Sequence, residues 1–280
     1  MDTKNRVALL VHSCDRYVFL YPGFEFFFRQ HWDFTIPCNL YFATEELPVA
    51  IDGFTNIKSG KAQWTDRLAD LLTHHIKEDY VLYMQEDMWL NKDVNEVFFK
   101  ELFYLAITNE WKQVKLHSSE VYVTNPSPEF IQGFNIGIVD NKRSGYLMSH
   151  QVTLWNKQFL LEQLPKDEHP WRNERKGTKR LRKINPVIHH VDYFAENGKP
   201  EINQNHNPIK RSEYQAVSAN GMLNDNVQPF IKELEKDNEE MKSYAHQLAH
   251  HYKNCLTHDG KEKPRKKDVF KKLKNWVTKE

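Results

Sequence analysis

The sequence has 280 residues, of which 40% are hydrophobic and 13% aromatic, and its formal net charge is only +1. This composition excludes extended disorder, collagen and small disulfide scaffolds, and the length allows one large domain or two small ones. The small net charge conceals an asymmetry, because residues 261–280 carry nine basic and three acidic side chains and leave residues 1–260 with a net charge of −5. A mildly acidic body therefore carries a basic tail.

Targeting and redox signals are absent from the sequence. No stretch approaches 18 uncharged apolar residues, and the first residues lead directly into a strand-like run without the apolar core of a signal peptide, which predicts a cytoplasmic protein. The three cysteines, Cys14, Cys38 and Cys255, are odd in number and form no CxxC pattern. We therefore expect ordinary thiols rather than a disulfide framework or a structural zinc site.

Strands and helices alternate over the first 120 residues. The aliphatic run at residues 7–11 and the apolar run at 80–84 predict buried strands, and residues 39–43 and 114–117 predict two more strands. Segments with helical periodicity lie between them. This alternation predicts an α/β sandwich with a mainly parallel sheet.

The second half of the body has weaker signals. Residues 119–145 contain several prolines and glycines and are expected to form a long irregular loop. Strands are predicted at residues 151–155 and 187–191, with two helices between them, one through residues 159–164 and one whose first turn contains Pro170. Residues 214–217 form the last strand-like segment.

The predicted strands end in polar clusters. In open α/β sheets the ligand binds at the carboxyl ends of the strands, which here carry residues 13–16, 45–46 and 86–87. The pair Glu86 and Asp87 suits Mg²⁺ or Mn²⁺, which prefer oxygen ligands and take one or two protein carboxylates. Acidic residues also end many strands simply because they face water, so the spacing alone leaves both interpretations open.

Four segments together resemble a known family. They are VALLVHSCDRY, GKAQWTDRLADLLTHHIKEDYVLYMQEDMWL, SHQVTLWNKQFLLEQL and EHPWRNERKGT. In this order they resemble glycosyltransferases of the GT-A fold that build bacterial and giant-virus surface polysaccharides. The resemblance covers about residues 5–225 and is strongest at QEDMWL and EHPWRNERKGT. It implies a GT-A-like, Rossmann-type three-layer α/β sandwich, with a catalytic domain at 1–228 whose nucleotide-sugar half is about 1–118 and whose acceptor half is about 119–228.

The resemblance implies a metal site. In GT-A enzymes a short acidic DXD motif at the end of a central strand holds a metal ion that bridges the donor diphosphate, and Gln85-Glu86-Asp87 occupies that place. Gln85 departs from the motif, so Asp87 is the expected ligand of Mn²⁺ or Mg²⁺ and Glu86 a weaker one. Some GT-A enzymes add a late histidine, for which His190 is the candidate here, because only one of two successive strand residues can face the site.

The resemblance also implies donor-binding residues. The loop after the first strand usually receives the nucleoside, and the segment before the next predicted helix supplies further contacts. Donor binding has an alternative at each place. The loop after the first strand could be a solvent-exposed capping cluster, and Trp64 could have a simple packing role. The candidate donor-binding residues are Ser13, Asp15, Arg16, Lys61, Trp64, Arg67, Glu86 and Asp87.

Inverting glycosyl transfer needs a carboxylate that takes the proton of the acceptor hydroxyl. GT-A enzymes usually keep this base near the start of a helix on the acceptor side, which here implies Glu174 first and Glu168 second. Glu168 is equally consistent with a favourable charge at a helix N-terminus. The many basic residues of the same helix suit a diphosphate, an anionic acceptor or merely a solvated face.

The last 50 residues suggest attachment rather than catalysis. Apolar residues recur at heptad positions between 231 and 255, which predicts one long helix over 229–258 and a homodimeric coiled coil, or a helix packed on its own domain. Residues 259–280 read as a basic amphipathic tail that binds an anionic membrane surface, with a disordered tail as the alternative. Nucleic acid is rejected as a partner because the body has no basic face or recognised motif.

Together these patterns predict a nucleotide-sugar-dependent, metal-assisted, inverting hexosyl- or pentosyltransferase. It would take a UDP-, GDP- or dTDP-sugar and act on a saccharide or lipid-linked acceptor at the inner face of a membrane. The alternative is a non-catalytic nucleotide- or sugar-binding scaffold tethered to the membrane. A sugar nucleotidyltransferase is disfavoured because the glycine-rich phosphate loop after the first strand is absent.

Overall fold

A computed structural model describes residues 5–201 and 208–262. The chain divides into two compact units, Met1–Val217 and Ser218–Glu280, so the boundary precedes the one expected at residue 228. None of the helices in the described ranges is both long and apolar enough to cross a membrane. The predicted membrane-binding helix of the tail falls on residues 263–280, outside the described residues, and membrane attachment remains a prediction.

Four parallel strands form one half of the central sheet. They are β1 (Val7–His12), β2 (Asn39–Thr44), β3 (Thr55–Lys58) and β4 (Tyr80–Met84). Their order across the sheet is β3-β2-β1-β4, and every pair is parallel. All residues of β1 and β4 are buried, as their continuous hydrophobic runs predict for strands covered on both faces. The carboxyl ends of these strands therefore lie along one edge.

The sheet continues beyond β4 with mixed directions. Antiparallel β9 (Thr153–Asn156) separates β4 from β6 (Gln113–His117), which runs parallel to β10 (His189–Glu196). Next to β10 lies parallel β11 (Ser212–Ala216), and antiparallel β5 (Met88–Lys92) closes the edge. The expected α/β sandwich with a mainly parallel sheet is confirmed.

One expected loop is a β-hairpin. Residues 119–145 contain β7 (Thr124–Ile131) and β8 (Phe134–Val139), and β8 pairs with the start of β10. The turn between them uses Gln132 and Gly133, which both have positive φ. Proline and glycine in this segment thus mark an irregular hairpin with a register shift rather than an absence of strands.

Helices cover both faces of the sheet and make three layers. On one face, leucines of α2 (Trp64–Asp70), its π-helical continuation Leu71–His75, α4 (Lys157–Glu162) and α5 (Pro170–Ile184) share a core with Ala8 and Leu10. The other face carries α1 (Tyr21–His31), which follows a 3₁₀ turn at Asp15–Leu20, and α3 (Glu96–Thr108). Aromatic rings dominate there, as in the stacked pair Phe27 and Trp89.

The unit that begins at Ser218 does not contain the single helix expected over 229–258. It has a two-stranded sheet, β12 (Ser218–Ala219) with β13 (Met222–Leu223), a 3₁₀ turn at Asp225–Val227, and two helices, α6 (Gln228–Leu234) and α7 (Glu239–Lys253). Asn238, expected inside the seam, instead caps α7 by accepting the backbone N–H of Met241 at 3.0 Å.

This break removes the basis for the predicted coiled coil. A heptad seam needs one continuous helix, whereas residues 235–238 separate α6 from α7. Leu234 and Leu248, two residues of the expected seam, are fully buried within the chain itself, so they are not available to a second copy. The heptad pattern therefore reflects two short helices with buried apolar faces. The alternative interpretation, packing within the chain, agrees with this burial, but the packed element is two helices instead of one.

Gly23 is required by the packing of Trp89. A Cβ atom at position 23 would lie 2.2 Å from two ring atoms of the Trp89 side chain, which is fully buried. We expect Gly23→Ala to destabilise the protein by about 1 to 3 kcal/mol, because this overlap outweighs the gain of up to about 1 kcal/mol in helix propensity. Urea unfolding followed by circular dichroism measures the change. Gly145→Ala is the control, since its Cβ would meet only Val121 at 3.7 Å and should cost little.

Candidate active site

A cavity of about 630 Å³ opens at the carboxyl edge of the parallel strands. The ends of β1, β2 and β4 form its floor, the start of α2 forms one side, and the start of α5 forms the rim. Its lining residues are His12, Ser13, Cys14, Arg16, Tyr17, Glu45, Ala62, Gln63, Trp64, Arg67, Gln85, Glu86, Asp87, His169, Pro170 and Trp171. This is the edge at which the strand order predicts a ligand.

A larger cleft, of about 1130 Å³, is lined by Arg6, Asp79 and Tyr80 together with residues between 107 and 189. Tyr80 begins β4, so this cleft lies at the opposite end of that strand from the acidic pair. Arg6 and Asp79, two of the charged residues that line it, pair with each other at 2.7 Å.

Arg67 ties the strand ends together beneath the cavity. Its guanidinium donates to the Glu45 carboxylate at 2.6 Å, to the Ser13 carbonyl at 2.6 Å and to His12 Nε2 at 3.1 Å. The side chain is buried, and acceptors match its two terminal nitrogens, whereas Nε has no hydrogen-bond partner in the described part of the chain. Arg67 thus fixes β1 and β2 relative to α2, although the sequence suggested a direct contact with the donor.

Asp15 organises a neighbouring loop rather than the cavity. Its carboxylate accepts the backbone N–H groups of Glu45, Glu46 and Leu47 at 2.8 to 3.2 Å, and its own N–H donates to the Glu45 carboxylate. Asp15 does not line the cavity, whereas its neighbours Ser13 and Arg16 do. Both carboxylate oxygens of Asp15 are therefore bonded to the loop after β2.

Lys61 also lies away from the cavity lining. Its ammonium pairs with Glu46 at 2.6 Å, and both side chains are well exposed. Of the predicted donor-binding residues, the structure brings together at the cavity Ser13, Arg16, Trp64, Arg67, Glu86 and Asp87.

Glu86 and Asp87 place two carboxylates at the end of β4, of which Glu86 is buried and Asp87 is half-buried. Burial raises the pKa of both groups, and the charge of Asp87 raises that of Glu86 further. Glu86 Oε2 is buried and has no hydrogen-bond partner in the described part of the chain. Such an arrangement is costly for the ionised pair unless a cation joins it.

The lining tryptophan, Trp64, belongs to an aromatic cluster. Its ring lies 4.1 Å from that of His150 and 5.2 Å from that of His12, with Tyr83 at 6.4 Å. Burial lowers the pKa of His150 to about 3 and that of His12 well below its usual value, which the charge of Arg67 also favours. Both histidines are therefore neutral at physiological pH and form a polar but uncharged backing for the indole.

The rim is formed by the first turn of α5. His169 caps this helix through Nδ1, which accepts the N–H of Arg172 at 3.3 Å, so its proton is on Nε2. Trp171 is 67% exposed although it lines the cavity. His169 and Trp171 are not among the predicted site residues. Their position inside EHPWRNERKGT is the one feature of the sequence that points to a role at the site.

The two predicted bases differ sharply in their surroundings. Glu168 is buried and bonded to Asn173, Lys176 and Arg180; desolvation opposes its ionisation, but the hydrogen bonds from Arg180 and Asn173 prevail and lower its pKa. Glu174 is half-buried, accepts the backbone N–H of His150 at 3.1 Å, and has its pKa raised by burial. Neither residue lines the cavity.

His190 is not brought to the acidic pair. It lies within β10, and its Nε2 contacts the carbonyl of His117 at 2.9 Å. In residues 5–201 and 208–262 no group of three or more His, Cys, Asp or Glu side chains has the geometry of a metal site. The Glu86 and Asp87 carboxylates nevertheless fit a Mg²⁺ or Mn²⁺ ion held by one or two protein ligands and completed by phosphate oxygens, since Glu86 Oε2 lacks a partner.

The three cysteines are free thiols, as the sequence predicts. Cys14 lines the cavity, but burial and the nearby Glu86 charge raise the pKa of its thiol to about 11. A thiol with so high a pKa is a poor nucleophile at neutral pH.

A buried lysine lies on the same side of the sheet as Glu174. Lys115 is fully buried in β6 and donates to Ser149 Oγ at 3.0 Å and to the Tyr146 carbonyl at 3.1 Å. Burial lowers its pKa to about 7, although the charge of Glu174 opposes that effect.

Comparisons with known proteins gave only distant similarity. No family model matches the sequence, and none of the curated proteins compared with it does. The similar solved structures include S. aureus TarS, at 9% identity and a TM-score of 0.45. They also include residues 1–349 of S. aureus TarS, at 8% identity and a TM-score of 0.44. Each similarity covers 89% of this chain, with 43% of the first TarS chain and 71% of the second. The chain thus spans less than half of the first TarS chain.

The low pKa of Lys115 predicts a specific pH dependence. Between pH 7 and 9 the unfolded chain holds this proton and the folded chain releases it, so the lysine makes the free energy of unfolding rise with pH. We expect the stability of the wild type relative to Lys115→Met to increase by about 1 to 2 kcal/mol over this range. Urea titrations at several pH values measure the difference. Lys77→Met, at an exposed position, should run parallel to the wild type.

Proposed function

We propose that the protein is a nucleotide-sugar-dependent glycosyltransferase of the metal-assisted, inverting type. The observation that carries this proposal is the carboxylate pair Glu86 and Asp87, one buried and one half-buried, at the end of a central parallel strand and inside a cavity large enough for a nucleotide sugar. The resemblance of the surrounding segments to GT-A glycosyltransferases supports the same reaction. Donor base, sugar and linkage are left open by this chemistry.

The cavity offers suitable contacts for a donor. Trp64 presents an aromatic surface, Ser13 supplies a hydroxyl, and Arg16 supplies an exposed guanidinium at the same edge. An arginine can bind a phosphate through two N–H groups at once. Lys61 and Asp15, which do not line the cavity, act in this proposal only through the loop after β2.

Asp87, and secondarily Glu86, would hold Mn²⁺ or Mg²⁺. A bound ion supplies positive charge to the diphosphate as it leaves, which is the role of metal ions in phosphate chemistry. The two carboxylates must be ionised to bind it, and their raised pKa values mean that metal affinity should increase with pH through the neutral range. His190 has no part in this proposal, because its ring is held within β10.

Glu174 is the preferred base of the two candidates. Its pKa is raised by burial, which makes it a better proton acceptor than Glu168, whose carboxylate is already paired with Arg180 and Lys176. Glu174 lies behind the aromatic cluster, bonded to the backbone of His150. Its access to an acceptor hydroxyl therefore requires rearrangement of this wall when substrates bind.

A non-catalytic nucleotide- or sugar-binding scaffold is the second candidate. Gln85 stands where the DXD motif has its first aspartate, and neither candidate base, Glu174 or Glu168, lines the cavity. Nucleotide binding without release of nucleotide from any of a panel of UDP-, GDP- and dTDP-sugars, with an acceptor present, would favour the scaffold.

The metal proposal predicts the effect of Asp87→Asn. Turnover with Mn²⁺ and a nucleotide sugar should fall at least about 100-fold, a loss of about 2.7 kcal/mol of transition-state stabilisation. The thermal stabilisation that Mn²⁺ and nucleoside diphosphate together give to the wild type should also disappear.

Glu46→Gln is the matched control for this variant. It removes one negative charge close to the end of β2, but Glu46 is exposed and does not line the cavity. Equal activity of Asp87→Asn and wild type would exclude Asp87 as a ligand.

The two candidate bases can be separated by their variants. Glu174→Gln should lower kcat by about 10² to 10⁴ while nucleotide binding is retained, because only proton transfer is lost. Glu168→Gln should chiefly lower the melting temperature, since Arg180 and Lys176 lose their charged partner. Steady-state kinetics and thermal denaturation measure both effects. A folded Glu174→Gln enzyme with wild-type kcat would contradict the assignment.

A further inference from the structure

One face of α5 carries a row of basic side chains that point away from the core, so the expectation that the body has no basic face is wrong. Arg172, Arg175, Lys179 and Lys183 are all exposed and follow each other at spacings of three, four and four residues. At 100° per residue these positions fall within about 80° of one another around the helix. The buried residues Asn173, Gly177 and Leu181 lie on the opposite side. We call the four basic residues the α5 stripe.

The stripe is not used by the fold. Other basic residues of α5 have structural partners: Lys176 and Arg180 pair with Glu168, and Arg182 donates to the carbonyls of Asn141 and Ser144. Within the described residues, by contrast, the four side chains of the stripe form no ion pair or hydrogen bond with the protein. Four like charges on one narrow face repel each other, and an anion that lies along this face would relieve the repulsion.

The stripe begins at the mouth of the cavity. Trp171, one residue before Arg172, lines the cavity and is 67% exposed. From Arg172 to Lys183 the stripe extends about 16 Å along the helix axis. Successive positions of the stripe are separated by a rise of about 4.5 to 6 Å along this axis. An exposed indole beside a polar cavity offers the apolar face on which a sugar ring packs.

We propose that the acceptor is an anionic glycan whose terminal sugar packs on Trp171 while its following acidic units lie along the α5 stripe. This inference rests on the proposed glycosyltransferase function and specifies its acceptor. Regularly spaced cations suit a chain with a carboxylate or phosphate on each repeating unit.

A membrane surface is a poorer match for the stripe. Helices that bind membranes in the interface insert an apolar face below their basic residues. The apolar face of α5 is instead part of the protein core, where Leu181 is fully buried. A soluble, extended polyanion can contact the exposed face without any such insertion.

Direct binding to the full chain tests the proposal. We suggest isothermal titration at low salt with decagalacturonate, poly(glycerol phosphate) and neutral dextran, together with duplex DNA and phosphatidylglycerol vesicles. The wild type should bind one or both anionic glycans at least tenfold more tightly than dextran, DNA or vesicles. The relative affinity for galacturonate and poly(glycerol phosphate) distinguishes carboxylate from phosphate recognition.

Paired charge reversals locate the site. Lys179→Glu/Lys183→Glu should weaken binding of the anionic glycan at least tenfold, while Lys77→Glu/Lys142→Glu, the same change in net charge at exposed positions outside the stripe, should change it less than twofold. Trp171→Ala should weaken binding of charged and neutral glycans alike. Melting temperatures confirm that each variant is folded.

Several results would overturn the proposal: equal losses in the two double variants, equal or tighter binding of DNA or vesicles, or no glycan binding by the wild type. Nucleotide binding, measured by thermal shift, is independent of the stripe. Glycan binding that depends on the stripe, in a protein that releases no nucleotide from any sugar donor, would contradict the glycosyltransferase function and leave the anionic-glycan site standing.

Discussion

Two adjacent carboxylates at the end of a central strand, one buried and one half-buried, impose the main constraint on this molecule. Neither Glu86 nor Asp87 forms an ion pair in the portion that the structure describes, although Arg67 is close enough to influence Glu86. Arg67 is instead committed to Glu45, so the acidic pair keeps its charge available for an external cation. The fold thus bears the cost of unmatched charge where phosphate chemistry would use it.

The remainder of the cavity is built to hold that pair in place. Arg67 and Asp15 fix the ends of β1 and β2 through side-chain contacts to backbone groups, and the Trp89 indole donates to the Glu86 carbonyl at 3.1 Å. Neutral histidines support the aromatic wall without adding positive charge. Glu86 Oε2, by contrast, has no hydrogen-bond partner in the described part of the chain.

Sequence patterns predicted the parallel strands because buried strands read as continuous apolar runs, and they predicted the cavity because the chain direction fixes where strand ends meet. They could not show that Asp15 bonds the loop after β2, or that Arg67 at the cavity wall also bonds Glu45 and Ser13, since the spacing is the same whether a side chain contacts a ligand or a loop. Asn238 was misread within the heptad pattern because an N-cap and a polar seam position have the same residue type. Trp171 was overlooked because exposure cannot be read from EHPWRN alone.

The contact between Gly23 and Trp89 links core packing to the site by a short route. Trp89 fills the space that the missing Cβ leaves and holds the backbone at Glu86, so the shape of α1 is transmitted to the acidic pair through one ring. Positions 23 and 89 therefore form an epistatic unit. A larger residue at 23 is compatible with function only together with a smaller one at 89, and natural variation at either position should be correlated with the other.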